Sequence, residues 1–427
     1  SLRGRLYVLT TQGDHSPLMF TSTFKRKAAK VAALAITGAL AVPLLSSGTA
    51  QADPRQHTDQ LVGVGSDTIE AVFNAFAGES NGIYYTPVHT TGTSNLLQFS
   101  SWNAVAPGDH TNLTCISPRA LFNAFQRPNG STHGREALSR SLDGAAFNET
   151  GGDSACANKA TSGIVDFARS SSASVVAGTD KLSYIAVGAD AIGYASISTP
   201  GTTEHLDFTD AELKQIFTDS GSGTTIRGTL VIPCDIQHGS GTQKDWPGKV
   251  GSPVTVNTID TASDACDALT PGIDTQGRIE ENHIDQLAAK RDAWLNAHPG
   301  GQAQFIIGHG VSAFIAQSNG KAPSHLATGG TLGGIDFGSG VTQAFTGTAP
   351  STAPNAAFYS SHYGRHVYMV WPKSVVEGLG NAPIKAMVVG SGSRVCAESA
   401  TLQAFGFLDL GSGCGAIELH SDYFPNS

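Results

Sequence analysis

The chain has 427 residues, including 50 Gly and 19 Pro; 40% are apolar and only 14% charged. A single core rarely grows past roughly 250 to 300 residues, so a loop-rich globular chain of two lobes is expected. The formal net charge of −9 argues against nucleic acid or an anionic membrane as partner, because both attract basic surfaces.

In chain order, residues 1–18 precede the first Met and read as an upstream segment outside the fold. Residues 19–52 carry a basic stretch (MFTSTFKRKAAK), an apolar stretch (Val31 to Leu45) and the small-residue run SSGTAQA. That order predicts a secretory signal peptide cleaved after Ala52, and a protein that is secreted, extracellular or periplasmic. The apolar stretch, interrupted by Gly38 and Pro43, is shorter than the roughly 20 residues a membrane span needs. Cleavage removes six basic residues (Arg3, Arg5, Lys25, Arg26, Lys27, Lys30) and Asp14 from totals of 26 and 35, leaving 20 basic and 34 acidic side chains, a net charge of −14. An anionic ligand would therefore have to be held by local geometry against the global field. All six cysteines lie in the exported part, which reads as disulfides. Neighbour pairing is expected: Cys115 with Cys156, Cys234 with Cys266, and Cys396 with Cys414. No Cys/His spacing suggests a metal, no cofactor motif is found, and no cysteine near Ala52 offers a lipid anchor.

The first polar helix start is LVGVGSDTIEAVFNAF, 61–76, where a strand runs into Gly63 and Gly65 and Asp67 with Glu70 spells a capping box. Unpaired N–H groups at such a start, with the hydroxyls of Ser66 and Thr68, can seat an anion. The second, RPNGSTHGREAL (127–138), offers Ser131 or Thr132 as cap, flanked by Arg127. GIVDFARSS (163–171) is an apolar strand ending in Arg169, Ser170 and Ser171. FTDAELKQIF (208–217) has a Thr209/Glu212 capping box and a Phe208/Leu213 staple, and reads as an ordinary packed helix. The third polar start is HGSGTQKDW (238–246), where Ser240 and Gln243 pattern as a capping box and Gly239 and Gly241 leave N–H groups unshielded. His133 and His238 beside these loops read as surface residues. Strands are expected at 61–64, 184–187, 304–307, 367–371 and 386–389, alternating with helices in an α/β fold with mostly parallel pairing.

Each polar start alone is ordinary cap chemistry. Together, several Ser/Thr/Gly helix starts and two arginines suit a tetrahedral oxyanion held by hydrogen bonds. Catalysis is disfavoured: the chain has no Gly-x-Ser-x-Gly elbow, His-Glu-x-x-His, P-loop or clustered Asp/His set for two metals. A secreted phosphatase or esterase using Ser240, and a secreted scavenging or interaction protein, are the competing readings.

With GVGSDT, RPNGS, DFARSS, FTDAELKQIF, GSGT followed by Trp246, and FIIGHGVSAFIAQ in this order, the chain resembles the substrate-binding proteins of phosphate-specific ABC transporters, in their actinobacterial branch. The resemblance implies a type II periplasmic-binding-protein fold: two α/β lobes, 57–188 with 366–427 and 189–365, with a ligand cleft between them. It further implies a monomeric, non-enzymatic protein that delivers phosphate or a similar oxyanion to a permease. Carried over by position, the ligand residues are Ser66, Asp67, Thr68, Ser131, Ser171, Ser240, Gly241 and Thr242, with Arg127, Thr132 and Ser170 as further candidates. Three positions depart from the family pattern. Ile236 stands where the family has an arginine, Ser171 where it has the phosphate-accepting aspartate, and Asp67-Thr68 where it has Thr-Phe. The expectation is that Arg169 supplies the lost guanidinium and Asp67 the lost carboxylate, which would accept the phosphate proton and reject sulfate.

Overall fold

The computed structural model describes residues 53, 60–92, 94, 96–106, 113–149, 151–218, 223–251, 266 and 278–426. The expected upstream segment, the signal peptide and its cleavage at Ala52 lie outside the described residues.

The fold is mixed α/β around one ten-stranded sheet. Its strands are β1 (Gln60–Gly65), β2 (Gln98–Ser101), β3 (Phe167–Ser170), β4 (Leu182–Ser198), β5 (Thr224–Ile226), β6 (Thr229–Pro233), β7 (Gln304–Gly310), β8 (Thr331–Leu332), β9 (Gly364–Pro372) and β10 (Ile417–Ser421). The order across the sheet is β5-β6-β7-β4-β9-β3-β1-β2, with β8 and β10 also pairing with β4. The helices that matter for the site are α1 (Glu70–Phe76), α2 (Gly130–Asp143), α3 (Asp210–Thr218), α4 (Gly241–Val250), α5 (Ile284–Ala297), α6 (Val311–Ser318) and α7 (Ala382–Val388).

The long strand β4 organises the sheet. Its first half, through Ala191, pairs with β9, and its second half, Ile192 to Ser198, pairs with β7. Side chains alternate across the pleat, so the β1–β2–β3–β9 half has a core on each face. Leu61, Phe99, Phe167 and Trp371 belong to one, and Val62, Val64, Ala168 and Tyr184 to the other. Gly63 leaves room for the Phe167 ring, which an added Cβ would strike. A third core gathers Ile197, Phe208, Ile232, Trp246 and Phe305 around the β5–β6–β7 half. Each fully buried Val, Leu, Ile or Phe among them contributes about 1.5–3 kcal/mol.

Several expectations are corrected. Pairing is mixed rather than mostly parallel: among the described residues the main sheet has parallel pairs only at β1–β2, β1–β3 and β6–β7, since every strand beside β4 runs against it and β5–β6 and β9–β3 are antiparallel as well. The apolar run 386–389 is the end of α7 and its cap, not a strand. Asn381 in a left-handed conformation and a proline in the first turn start that helix, and a short apolar run cannot distinguish the two by periodicity. The Asp67/Glu70 capping box does not form. Helix α1 begins at Glu70 without a side-chain cap, and the Glu70 carboxylate instead accepts from Ala104 N at 2.7 Å. Helix α2 is entered through Asn129 rather than Ser131 or Thr132. His133 is buried, not at the surface, against Glu149 at 2.8 Å.

The other caps form as read. Thr209 and Glu212 exchange bonds at 2.9 and 3.1 Å, and Ser240 Oγ accepts from Gln243 N at 3.0 Å. The disulfides are Cys115–Cys156, Cys234–Cys266 and Cys396–Cys414, as neighbour pairing predicted. Among the described residues no helix is long and apolar enough to cross a membrane.

Candidate functional site

The C-terminal end of β1, the N-termini of α2 and α4, and the end of β3 converge on one buried point. Gly65 makes the approach possible: its φ is +106°, and an added Cβ would lie 2.7 Å from Arg169 O and 3.0 Å from Gly134 Cα. Beyond it, Ser66 Oγ donates to Ser171 Oγ at 3.1 Å. Ser131 Oγ, on the first turn of α2, accepts from Ser171 N at 3.0 Å and lies 3.2 Å from Ser171 Oγ. Gly241 closes the group, since a Cβ there would come within 2.5 Å of Ser131 Oγ and nearer still to Ser171 Oγ. The α2 amide of Thr132 donates to Gly239 O at 2.9 Å, tying the two helix starts together. Ser66, Ser131, Ser171, Ser240 and Thr242 are all fully buried.

Beside this hydroxyl cluster lies a charged one. Glu281 Oε1 accepts from Thr68 Oγ1 at 2.7 Å and from Thr242 Oγ1 in a shorter bond. Arg365, at the start of β9, donates through Nη2 to Thr242 Oγ1 at 2.9 Å and Thr68 Oγ1 at 3.3 Å. It also pairs with the buried Asp190 at 2.9 Å. Each threonine hydroxyl thus accepts from the guanidinium and donates to the carboxylate. Arg365 Nη1 is buried without a hydrogen-bond partner among the described residues, 3.9 Å from Asp245. The Glu281 carboxylate is itself an oxyanion, held by hydroxyls from two of the polar starts.

Asp67 faces a third group. Burial raises its pKa well above the ordinary carboxylate value, and Glu280, Glu281 and Glu70 raise it further. Glu280 is raised too, first by burial, although Asn129 Nδ2 and Gln237 Nε2 donate to it at 3.1 and 3.2 Å. Two neighbouring carboxyls in a largely buried setting cannot both ionise cheaply, which favours one proton held between them. Asp67 Oδ2 is buried without a hydrogen-bond partner among the described residues.

The structure therefore brings together Ser66, Thr68, Ser131, Ser171, Ser240, Gly241 and Thr242, with Asp67 against Glu280. Other candidates lie elsewhere. Arg169 spends its donors on the fold: Nε on Ser66 O, Nη1 on Ser101 Oγ and Gly63 O, and Nη2 on Gly65 O and Trp102 O, at 2.7 to 3.5 Å. Arg127 makes a bidentate pair with Asp53 and donates to Asn103 O. Ser170 points away from Ser171, as alternation along a strand requires, and accepts from Arg135 Nη1 at 3.0 Å. Thr132 Oγ1 also takes a bond from Arg135. Ile236 is packed in the core of the β5–β6–β7 half. Sequence reasoning missed Arg365, Asp190, Glu280 and Glu281. The paired acids in RIEENH (278–283) are a visible signal for the last two; nothing near Arg365 marks it.

No protein-family model matches the chain, and no curated protein matches it. Among solved structures it is similar to an ABC-type phosphate transport receptor from Vibrio cholerae, at 10% identity and TM-score 0.38, over 82% of this chain and 99% of that one. It is also similar to a phosphate-binding protein from Stenotrophomonas maltophilia, at 13% identity and TM-score 0.38, over 83% and 91%. A third is a high-affinity periplasmic phosphate-binding protein, PfluDING, bound with phosphate, at 11% identity and TM-score 0.39, over 83% and 91%.

Proposed function

We propose that the chain is a secreted, monomeric solute-binding protein that captures inorganic phosphate, or a tetrahedral oxyanion like it, and presents it to an ABC-type permease. The observation that carries this reading is the Glu281 carboxylate held by Thr68 and Thr242 beside Arg365: a buried locus built from helix-start hydroxyls already accepts an oxyanion. An external anion would take that place and recruit Ser66, Ser131 and Ser171, whose hydroxyls otherwise bond one another. Arg365, not Arg169, supplies the guanidinium in this reading. Asp67, whose pKa is raised and which faces Glu280, is not the acceptor of the ligand's proton in this reading.

The lobes would be 57–188 with 366–427, and 189–365, hinging where β4 and β9 pass between the half-sheets. Ligand capture would then be a population shift toward the closed form, driven by anion contacts to both lobes. The role is binding rather than catalysis: Ser240 Oγ accepts the Gln243 amide as a helix cap, which is not the setting of an activated nucleophile. Calorimetric titration of the full chain with phosphate, then sulfate, tests the reading. One phosphate per chain is expected, and loss of binding in Thr242→Val.

The same carboxylate favours a second reading, in which Glu281 fills the seat permanently and the chain acts as a secreted interaction or scavenging protein. Replacing Glu281 separates the two. A freed seat that takes up phosphate supports the first, and one that takes up no oxyanion supports the second.

A further inference from the structure

Away from the hydroxyl cluster, His283, Asp285 and His325 set their ligand atoms within 4.8 Å of one another. His283 immediately precedes α5, Asp285 lies in that helix's first turn, and His325 follows α6. A backbone bond from Asp285 N to His325 O at 2.9 Å fixes the two segments together. The spacings are informative. His283 Nδ1 lies 3.3 Å from Asp285 Oδ1, and His325 Nδ1 lies 3.5 Å from Asp285 Oδ2. A tetrahedral ion with nitrogen and oxygen ligands at about 2.0–2.1 Å separates those ligands by about 3.3–3.4 Å.

We propose that His283, Asp285 and His325 form a site for a divalent transition metal of the zinc class, with a fourth position open to water. Two imidazoles and one carboxylate are the donor types that suit such an ion. The side chain of His283 is 5% exposed, those of His325 and Asp285 17% and 35%, so the cluster is anchored on one side and open to water on the other. The two rings stack at 3.6 Å between centroids with an 18° interplanar angle, and metal binding would rotate them apart until both lone pairs converge. The site adjoins the Glu280–Glu281 segment, since His283 N donates to Glu280 O at 3.2 Å. Metal occupancy would therefore brace the carboxylates of the anion seat.

The test is calorimetric titration of the chelator-stripped full chain with Zn²⁺, with Co²⁺ absorption reporting the coordination. One ion per chain is expected, with a visible Co²⁺ band. His325→Gln and Asp285→Asn should each weaken binding by about 100-fold or more and abolish the band, since even second-layer changes cost about 10–100-fold. Both residues are partly exposed, so these variants keep the comparison intact if His283→Gln fails to fold. Zinc binding unchanged in both variants, or no binding by the parent chain, would overturn the proposal.

Discussion

Arg169 and Arg365 sit on adjacent strands at the same end of the sheet, and the fold uses them differently. Arg169 donates to five oxygens, four of them backbone carbonyls around the end of β1. Arg365 is tied to Asp190 and two threonine hydroxyls, and its Nη1, 3.9 Å from Asp245, makes no hydrogen bond among the described residues. A guanidinium has five N–H donors, so a buried arginine can be sorted by what remains after the fold is satisfied. Nothing remains on Arg169, which is a strut. On Arg365 the Nη1 group has no hydrogen bond among the described residues, and besides the Asp190 pair its contacts are hydroxyls that also touch the Glu281 carboxylate.

The sharpest way to break this comparison is to replace each arginine by lysine. Arg169→Lys should cost about 3–5 kcal/mol in urea denaturation, because several buried carbonyls lose their partner. Arg365→Lys should cost about 1–2 kcal/mol, since the charge opposite Asp190 is kept, and should weaken oxyanion binding. A stable Arg169→Lys that loses anion binding would reverse the two roles. Next, Gly241→Ala should destabilise by about 1–3 kcal/mol, the usual cost of overpacking, because its Cβ meets the hydroxyls of Ser131 and Ser171. Unchanged thermal stability would show that the two helix starts are not in contact as described.

A smaller, pH-dependent effect sharpens the carboxylate side. Asp67 and Glu280 have raised pKa values in the folded state, so the fold binds protons more tightly than the unfolded chain. The stability they contribute is fully present below the ordinary carboxylate range, about pH 4, and is lost as pH rises through the raised values. Glu280→Gln should flatten that loss, giving a smaller drop in Tm between pH 5 and pH 8 than the parent shows. An equal drop in both chains would remove the proton-sharing pair from the account.

What was legible in the sequence follows from how local each feature is. The Thr209/Glu212 and Ser240/Gln243 caps are decided within four residues, and both formed. Disulfides between neighbouring cysteines needed only chain order. The hydroxyl cluster was readable as a set of Ser/Thr/Gly helix starts, although its α1 member lacks the expected cap because Glu70 was drawn to Ala104 N. The charged half was not readable. Thr68, Thr242, Glu281 and Arg365 are distant in sequence and meet only through the sheet order, and the donor accounting that separates Arg169 from Arg365 exists only in three dimensions. The mixed pairing had the same origin, because no local pattern announces that one strand will run through both half-sheets.

The central claim is that the locus held by Thr68, Thr242 and Arg365 is an oxyanion seat occupied in this structure by the chain's own Glu281. Calorimetric titration of the parent chain and of Glu281→Ala with phosphate tests it most directly. The account predicts one-to-one binding that is tighter in Glu281→Ala, by about tenfold for about 1.4 kcal/mol of relieved competition. Binding that is weaker in Glu281→Ala, or absent from both folded chains, would contradict it.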